Sequence, residues 1–95
     1  FAIDIENVLR EHEEVKDVAV IAIPHEKWGE TPLALVIRQP GAKRTAEEIM
    51  EWANARLAKY QRIRAVEFRE EDFPRNALGK VLKRVLREPY WKDHS

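Results

Sequence analysis

Apolar and polar residues follow one another along this chain in patterns that predict helices and strands in a definite order. Near the N-terminus, Ile5, Val8 and Leu9 recur at helical spacing after Asp4, which can cap a short helix. Two β-branched apolar runs follow, residues 15–24 and 31–40, and each ends in a proline. Such runs predict strands that are covered on both faces. The segment between them, HEKWGE, is short enough for an antiparallel connection.

The second half of the chain predicts a helix, a strand and a final helix. Thr45, with Glu48 three residues later, forms a capping box, and the helix it opens is predicted to run to about Lys59. Residues 63–70 alternate as a third strand. The buried stripe of the middle helix is expected to comprise Ile49, Trp52, Ala53 and Leu57. The buried face of the last helix is expected to comprise Leu78, Val81, Leu82 and Val85.

This order of elements, α-β-β-α-β-α, predicts an α+β fold in which three helices pack on a small three-stranded mixed sheet. A chain of 95 residues is one small domain. Because such a domain buries only about 60 to 65 per cent of its unfolded surface, it has little room for an enclosed active site of its own.

Composition excludes several classes of function. Seventeen basic and seventeen acidic residues cancel and are interspersed, which favours neither a nucleic-acid nor a membrane partner. No apolar run approaches the ~20 residues of a membrane span. The chain has no cysteine, so disulfides and thiolate metal sites are excluded, and we expect a cytoplasmic location.

The usual catalytic and metal-binding patterns are also missing from the sequence. The three glycines do not have the spacing of a phosphate-binding loop. His12, His25 and His94 lie far apart, and we expect structural or surface roles for them rather than a metal site. Neighbouring carboxylates, such as Glu13 and Glu14, point apart on a helix or strand and do not form an acid and base pair.

Trp28 is a large apolar residue in the polar segment HEKWGE, beside the conformationally free Gly29. One interpretation is that Trp28 folds back onto the sheet as a lid for the core. The other is that this segment contacts another domain or a ligand.

The segment PRNALGK, residues 74–80, precedes the last predicted helix. Asn76 can cap that helix, Pro74 stiffens the approach, and Gly79 suggests tight backbone packing or a positive φ. Lys80 would then lie in the first turn, where the helix dipole disfavours a cation by about 0.3 to 1 kcal/mol. Lys80 is therefore either a solvated lysine that is tolerated at this cost or a functional residue.

PRNALGK resembles the terminal signature of the adenylate-forming superfamily through Pro74, Arg75, Gly79 and Lys80, followed by Arg84. That superfamily contains acyl-CoA synthetases, the adenylation domains of nonribosomal peptide synthetases, and beetle luciferases. Residues 4–37 and 60–88 are similar to the beginning and end of the small C-terminal domain of these enzymes. The ending LREPYWK resembles the fatty-acid-activating members more than the amino-acid-activating ones.

The resemblance implies a reaction in two steps. A carboxylate, such as a fatty acid, attacks the α-phosphate of ATP to form an acyl adenylate and pyrophosphate, and a thiol, usually that of coenzyme A, then takes the acyl group. A large N-terminal domain holds ATP, Mg²⁺ and the acyl pocket. Lys80 aligns with the catalytic lysine of the first step, where its charge stabilises negative oxygens. Pro74, Arg75, Asn76 and Gly79 form the loop that positions it.

In this family the small domain rotates between the two steps, so the resemblance also implies a second surface. That surface is expected near Trp28, Gly29 and Glu30. Lys83 and Arg84 either face the phosphates of coenzyme A or form a solvated helix face.

The resemblance implies that residues 1–95 are one mobile lid domain. The hinge and the nucleotide-binding domain would lie upstream of Phe1, so we expect the chain alone to lack ligase activity. Neutralisation of Lys80 by an acetyltransferase would remove the catalytic charge. Two alternatives are a freestanding interaction module that docks through the Trp28 segment and the lid of a peptide-synthetase adenylation domain.

Overall fold

The computed structural model describes residues 2–92. Its elements confirm the predicted order and the α+β class, with one additional short 3₁₀ helix at Lys59–Gln61. His94, which we assigned a surface or structural role, lies outside the described residues. The helices and strands are α1 (Ala2–Arg10), β1 (Val15–His25), β2 (Gly29–Arg38), α2 (Ala46–Asn54), β3 (Ala65–Phe68) and α3 (Lys83–Trp91).

The sheet is mixed, as predicted, and its strands lie in the order β1-β2-β3. β1 and β2 are antiparallel with Val20 opposite Ala34, whereas β2 and β3 are parallel and Leu33 lies opposite Ala65. Because His25 already pairs with Gly29, only residues 26–28 form the connection between β1 and β2. The central strand β2 thus receives hydrogen bonds along both edges.

Both faces of the sheet are buried, which confirms the interpretation of the two apolar runs. One face carries Val18, Val20 and Val36 in a cluster with residues of α1 and α2. The opposite face carries Ala19, Ile21, Leu33 and Leu35 in a cluster with Phe73 and Leu86. Alternate residues of one strand therefore enter different cores, as the two-residue period of a strand requires.

β1 lies at the edge of the sheet, and side chains from two helices bond to its outer backbone groups. The N–H of Val20 donates to Glu6 Oε2 at 2.8 Å, and Trp91 Nε1 donates to the carbonyl of Ala22 at 2.8 Å. Lys83 Nζ lies 2.8 Å from the same Glu6 oxygen. The two hydrogen bonds satisfy backbone groups of the edge strand, which are otherwise free to pair with another chain.

The predicted start of α1 and the predicted end of α2 are wrong. Asp4 is not an N-cap, because α1 already includes Ala2 and Asp4 lies in its first turn. The capping box of Thr45 and Glu48 is confirmed, but α2 ends at Asn54 instead of continuing to Lys59.

A tertiary contact lies at the C-terminal end of α2. The side chain of Asn54 accepts a hydrogen bond from the N–H of Ile63 and donates one to its carbonyl, both at 2.8 Å. The predicted stripe of α2 is nevertheless buried at Ile49, Ala53 and Leu57, with Trp52 partly buried against the same core.

Within residues 2–92, no helix combines the length and the apolar character needed to cross a membrane.

Candidate functional site

Residues 74–82, here called the lysine turn, form a tight hairpin before α3. Arg75 pairs with Val81 in an antiparallel bridge, and the N–H of Leu82 donates to the carbonyl of Pro74 at 2.8 Å. The N–H of Asn76 donates to the carbonyl of Lys80 at 2.9 Å. Since α3 begins only at Lys83, the prediction that Lys80 occupies the first turn of a helix is wrong.

Asn76 explains why the helix does not begin earlier. Its Oδ1 accepts hydrogen bonds from the N–H of Leu78 at 2.9 Å and from the N–H of Lys80 at 3.0 Å, so it stabilises the turn and does not cap α3. The predicted positive φ of Gly79 is confirmed at +84°, a conformation that favours glycine. Lys80 therefore lies before α3 and not in its first turn, where the helix dipole would disfavour the charge of its ammonium.

The tip of the lysine turn is open to solvent. Leu78 is 93 per cent exposed, so it does not belong to the buried face of α3 as predicted. Lys80 is also exposed, and its ammonium forms no ion pair with any residue that the structure describes. A cation held on an ordered turn without a partner in its own domain is available to an anionic group on another molecule or domain.

The base of the turn is anchored by Arg75. Its Nη1 donates to the carbonyl of Gly79 at 3.0 Å, and its Nη2 lies 2.7 Å from Asp17 Oδ2 and 3.4 Å from Asp72 Oδ1. The N–H of Phe73, and further the charge of Arg75, hold the pKa of Asp72 below its usual range. These contacts tie the turn to β1.

Phe73 anchors the segment that enters the turn, because its side chain is 3 per cent exposed and packs in the cluster of Ile21, Leu33 and Leu86. No motif in the sequence indicates Asp17 or Phe73 as residues of this site. Asp17 is separated from Arg75 by 58 positions, and no local pattern relates the two.

Trp28 lies at the tip of the β1–β2 hairpin. It is 48 per cent exposed and belongs to neither core cluster, so the interpretation of Trp28 as a lid for the core is wrong. Its ring stacks on His25 with centroids 4.3 Å apart, and the guanidinium of Arg64 lies 4.2 Å from the Trp28 centroid. The hairpin extends beyond Ala65, the first residue of β3, which lies opposite Leu33. The ring of Trp28 therefore stacks on neighbouring side chains and is not buried in a core.

The hairpin tip is ordered by two further features. His25 Nδ1 accepts hydrogen bonds from the N–H groups of Lys27 at 3.1 Å and Trp28 at 3.3 Å. Gly29 has a φ of +79°, and Glu30 beside it is exposed. Trp28, Gly29 and Glu30 therefore do form one contiguous exposed surface, here called the hairpin surface.

Lys83 and Arg84 differ in their surroundings. The ammonium of Lys83 is engaged by Glu6, whose side chain is only 10 per cent exposed, which argues against a contact between Lys83 and the phosphates of coenzyme A. Arg84 is exposed and forms no ion pair within residues 2–92. The interpretation of Arg84 as a phosphate contact stays a prediction.

The lysine turn and the hairpin surface lie toward opposite ends of β1. Asp17, which holds the turn, and His25, which stacks on Trp28, are separated by eight residues along the strand, or about 25 Å at the usual rise of a strand. The two surfaces therefore cannot enter the same small site at the same time.

The fold and these surfaces define a class of protein: a small α+β domain with a three-stranded mixed sheet and two ordered, exposed turns. Comparison with known proteins is more specific. The sequence model of the AMP-binding enzyme C-terminal domain matches residues 4–80, and the chain belongs to this family.

Relatives and solved structures agree with this assignment. The chain is 50 per cent identical over 90 residues to a long-chain-fatty-acid–CoA ligase of Thermus thermophilus, a match that covers 94 per cent of this chain and 16 per cent of the relative. A second such ligase, from Bacillus subtilis, is 40 per cent identical over 91 residues, with 96 and 16 per cent covered. The chain thus spans about a sixth of the length of these curated relatives.

Two solved structures have the same fold over nearly the whole chain. Apo MatB from Rhodopseudomonas palustris has a TM-score of 0.88 and 35 per cent identity, covering 100 per cent of this chain and 19 per cent of that one. A Mycobacterium tuberculosis fatty acyl CoA synthetase has a TM-score of 0.84 and 41 per cent identity, with 95 and 18 per cent covered. The resemblance inferred from PRNALGK and its flanking segments is confirmed.

Proposed function

We propose that this chain is the mobile C-terminal domain of an AMP-forming acyl-CoA synthetase, an acid–thiol ligase that activates a carboxylic acid of the fatty-acid type. Lys80 acts in acyl-adenylate formation. The observation that carries the proposal is the exposed ammonium of Lys80, which is held on an anchored turn and has no ion-pair partner among the described residues. Membership of the AMP-binding family and the names of the relatives support it.

The chemistry of the first step explains the need for a lysine. As a carboxylate attacks the α-phosphate of ATP, negative charge is shared among the incoming carboxylate, the five-coordinate phosphorus and the leaving pyrophosphate. An ammonium on a flexible stem, such as that of Lys80, donates hydrogen bonds to these oxygens and stabilises the charge as it develops. Loss of one such donor typically lowers the rate by about 10² to 10³.

The other reactants are assigned to a larger N-terminal domain of the same enzyme, which is the principal partner of this chain. Within residues 2–92, no group of histidines and carboxylates could hold a metal ion. We assign ATP, its Mg²⁺ and the acyl pocket to the larger domain. The second substrate, coenzyme A, reaches the active site in the thioester step.

We assign the thioester step to the hairpin surface and assign the contact with the phosphate groups of coenzyme A to Arg84. The position of the two surfaces toward opposite ends of β1, where Asp17 and His25 lie about 25 Å apart, supports a rotation of the domain between the steps. The stacked, half-exposed ring of Trp28 is suited to a contact that forms in only one of the two orientations.

Lys80 is also accessible to an acetyltransferase at the tip of its turn. Acetylation removes the charge and would block the first step in the same way as a neutral substitution.

We place the enzyme in the cytoplasm.

The proposal is tested with the enzyme that contains this domain, by measuring its two steps separately. Adenylation is followed as exchange of pyrophosphate into ATP in the presence of a fatty acid. Thioester formation is followed from a supplied acyl adenylate and coenzyme A. We expect Lys80→Gln to lower the first rate about 10² to 10³ fold and to spare the second. Trp28→Ala should lower the second rate more than the first.

Lys43→Gln is the matched control, because Lys43 is also an exposed loop lysine and its side chain lies outside both surfaces. An equal loss of both steps in Lys80→Gln would contradict the role given to this residue. A wild-type enzyme without exchange for any carboxylic acid would instead favour the freestanding interaction module. Exchange with amino acids but not with fatty acids would favour the lid of a peptide-synthetase adenylation domain.

A further inference from the structure

We propose that Asp17 is a positioning residue for Lys80 and that it acts through Arg75. This inference rests on the proposed function of Lys80 and adds a residue on a distant strand to the same site. Asp17 does not reach the reacting groups itself. It holds the guanidinium that in turn holds the peptide bond preceding Lys80.

A β-bulge places Asp17 on the correct face of the sheet. Val15 lies opposite Arg38 and Asp17 opposite Ile37, so Lys16 is an extra residue in β1. Without the bulge, Val15 and Asp17 would point to the same face. With it, Val15 enters the core beneath α1 and α2, whereas Asp17 remains on the face that carries the lysine turn. Bulges commonly redirect a side chain in this way.

The carboxylate of Asp17 is itself held in place. Its Oδ1 accepts a hydrogen bond from the N–H of Val18 at 2.8 Å, and Arg10 lies 3.9 Å from the same oxygen. Its Oδ2 is left to bind Arg75 Nη2 at 2.7 Å. The acceptor for Arg75 is therefore fixed to the backbone of β1.

Arg75 transmits this position to the peptide that joins Gly79 to Lys80. Its Nη1 donates to the carbonyl of Gly79 at 3.0 Å, while the N–H of Lys80 donates to Asn76 Oδ1 at 3.0 Å. Both polar groups of that peptide are thus held by side chains. The planar guanidinium can bind Asp17 and Gly79 at once because its donors form a rigid fork, which an ammonium does not provide.

The consequence for catalysis is geometric. Since Lys80 is exposed and its side chain is flexible, only its backbone can be held before the domain docks. A turn that is already ordered presents the ammonium in a narrow range of positions, and such preorganisation favours the transition state. Loss of one partly exposed ion pair should raise the population of the open turn about three- to fivefold.

The first test measures the turn directly, in the 95-residue chain, by hydrogen exchange of the backbone amides. In Asp17→Asn we expect the amides of Gly79 and Lys80 to exchange about three- to fivefold faster, with the amide of Ala34 in β2 unchanged. Glu13→Gln, which removes an exposed carboxylate outside the turn, should leave all three amides unchanged. Unchanged exchange at Gly79 and Lys80 in Asp17→Asn would overturn the inference.

The second test uses the complete enzyme and its two separate steps. Asp17→Asn should lower the kcat of adenylation about three- to fivefold and leave thioester formation unchanged. In a background of Arg75→Gln, the same substitution should have no further effect, because its path to Lys80 is already broken. Independent effects of the two substitutions, or an equal loss in both steps, would contradict positioning through Arg75.

The two tests separate this inference from the proposed function. Faster exchange at Gly79 and Lys80, combined with wild-type adenylation in Lys80→Gln, would overturn the role of Lys80. The exchange result would then still place Asp17 as the anchor of the turn.

Discussion

The ion pair between Glu6 and Lys83 joins α1 to the beginning of α3 across the edge of the sheet, and we expect its loss to destabilise the fold strongly. Glu6 Oε2 accepts from the N–H of Val20 and contacts Lys83 Nζ, both at 2.8 Å, and the Glu6 side chain is 10 per cent exposed. Glu6→Ala removes both interactions and leaves a buried backbone donor without a partner.

The expected magnitude follows from these contacts. Leaving a buried donor such as the N–H of Val20 unsatisfied costs about 1 to 3 kcal/mol. Breaking a fully buried ion pair costs about 3 to 5 kcal/mol, but the side chain of Lys83 is 37 per cent exposed, so its ammonium can regain water. We therefore expect Glu6→Ala to lower the free energy of unfolding by about 2 to 3 kcal/mol in total. For a domain of this size the melting temperature would fall by about 10 to 20 °C.

The assay is urea unfolding followed by circular dichroism for a graded set of variants. Glu6→Gln retains an acceptor for Val20 and loses the charge, so we expect a cost of about 1 to 2 kcal/mol. Lys83→Met loses the same ion pair but leaves the largely buried Glu6 carboxylate without its counter-charge, so it should cost more than Glu6→Gln. The control is Glu51→Ala, an exposed glutamate on α2, which should change stability by less than about 0.5 kcal/mol. A cost for Glu6→Ala no larger than that of Glu6→Gln, or equal to that of Glu51→Ala, would refute this reasoning.

Two further predictions concern a helix cap and a tyrosine. Thr45→Ala removes the acceptor for the N–H of Glu48 and should lower the free energy of unfolding by about 1 kcal/mol, seen as a lower urea midpoint at constant slope. An unchanged midpoint would contradict the contribution of the capping box. Burial and the hydrogen bond to Glu67 raise the pKa of Tyr90 to about 12, so its stabilising effect is complete below about pH 10 and is lost as pH rises through 12. The difference between the ultraviolet titrations of wild type and Tyr90→Phe should have its midpoint near 12, and a midpoint near 10 would contradict this environment.

Much of the fold could be predicted because its signals are local. The apolar runs of β1 and β2 indicate strands buried on both faces, and the structure has two cores on opposite sides of them. The capping box of Thr45 and Glu48 joins residues three apart, so their hydrogen bonds need no tertiary contact. Family resemblance, in turn, identified Lys80 through a segment of a few residues.

Two side chains, those of Asn76 and Lys83, have partners other than the ones that the sequence predicts. Asn76 has the preferences of an N-cap, but its Oδ1 binds the N–H groups of its own turn, and α3 therefore begins later. Lys83 was assigned to a ligand or to solvent, and its ammonium is engaged by Glu6. A sequence shows what each side chain can bind, and the folded chain decides which partner is near.

The sequence by itself determined the order of the elements, the two-sided burial of the central strands and the family. Each of these depends on spacing of a few residues or on a contiguous motif. Only the tertiary structure decided that Lys80 lies on an anchored hairpin and that the hairpin surface lies at the far end of β1. It also brought Asp17 to Arg75 across 58 positions of the sequence. Such contacts arise because packing of the sheet and helices brings distant residues together, and no local pattern encodes that distance.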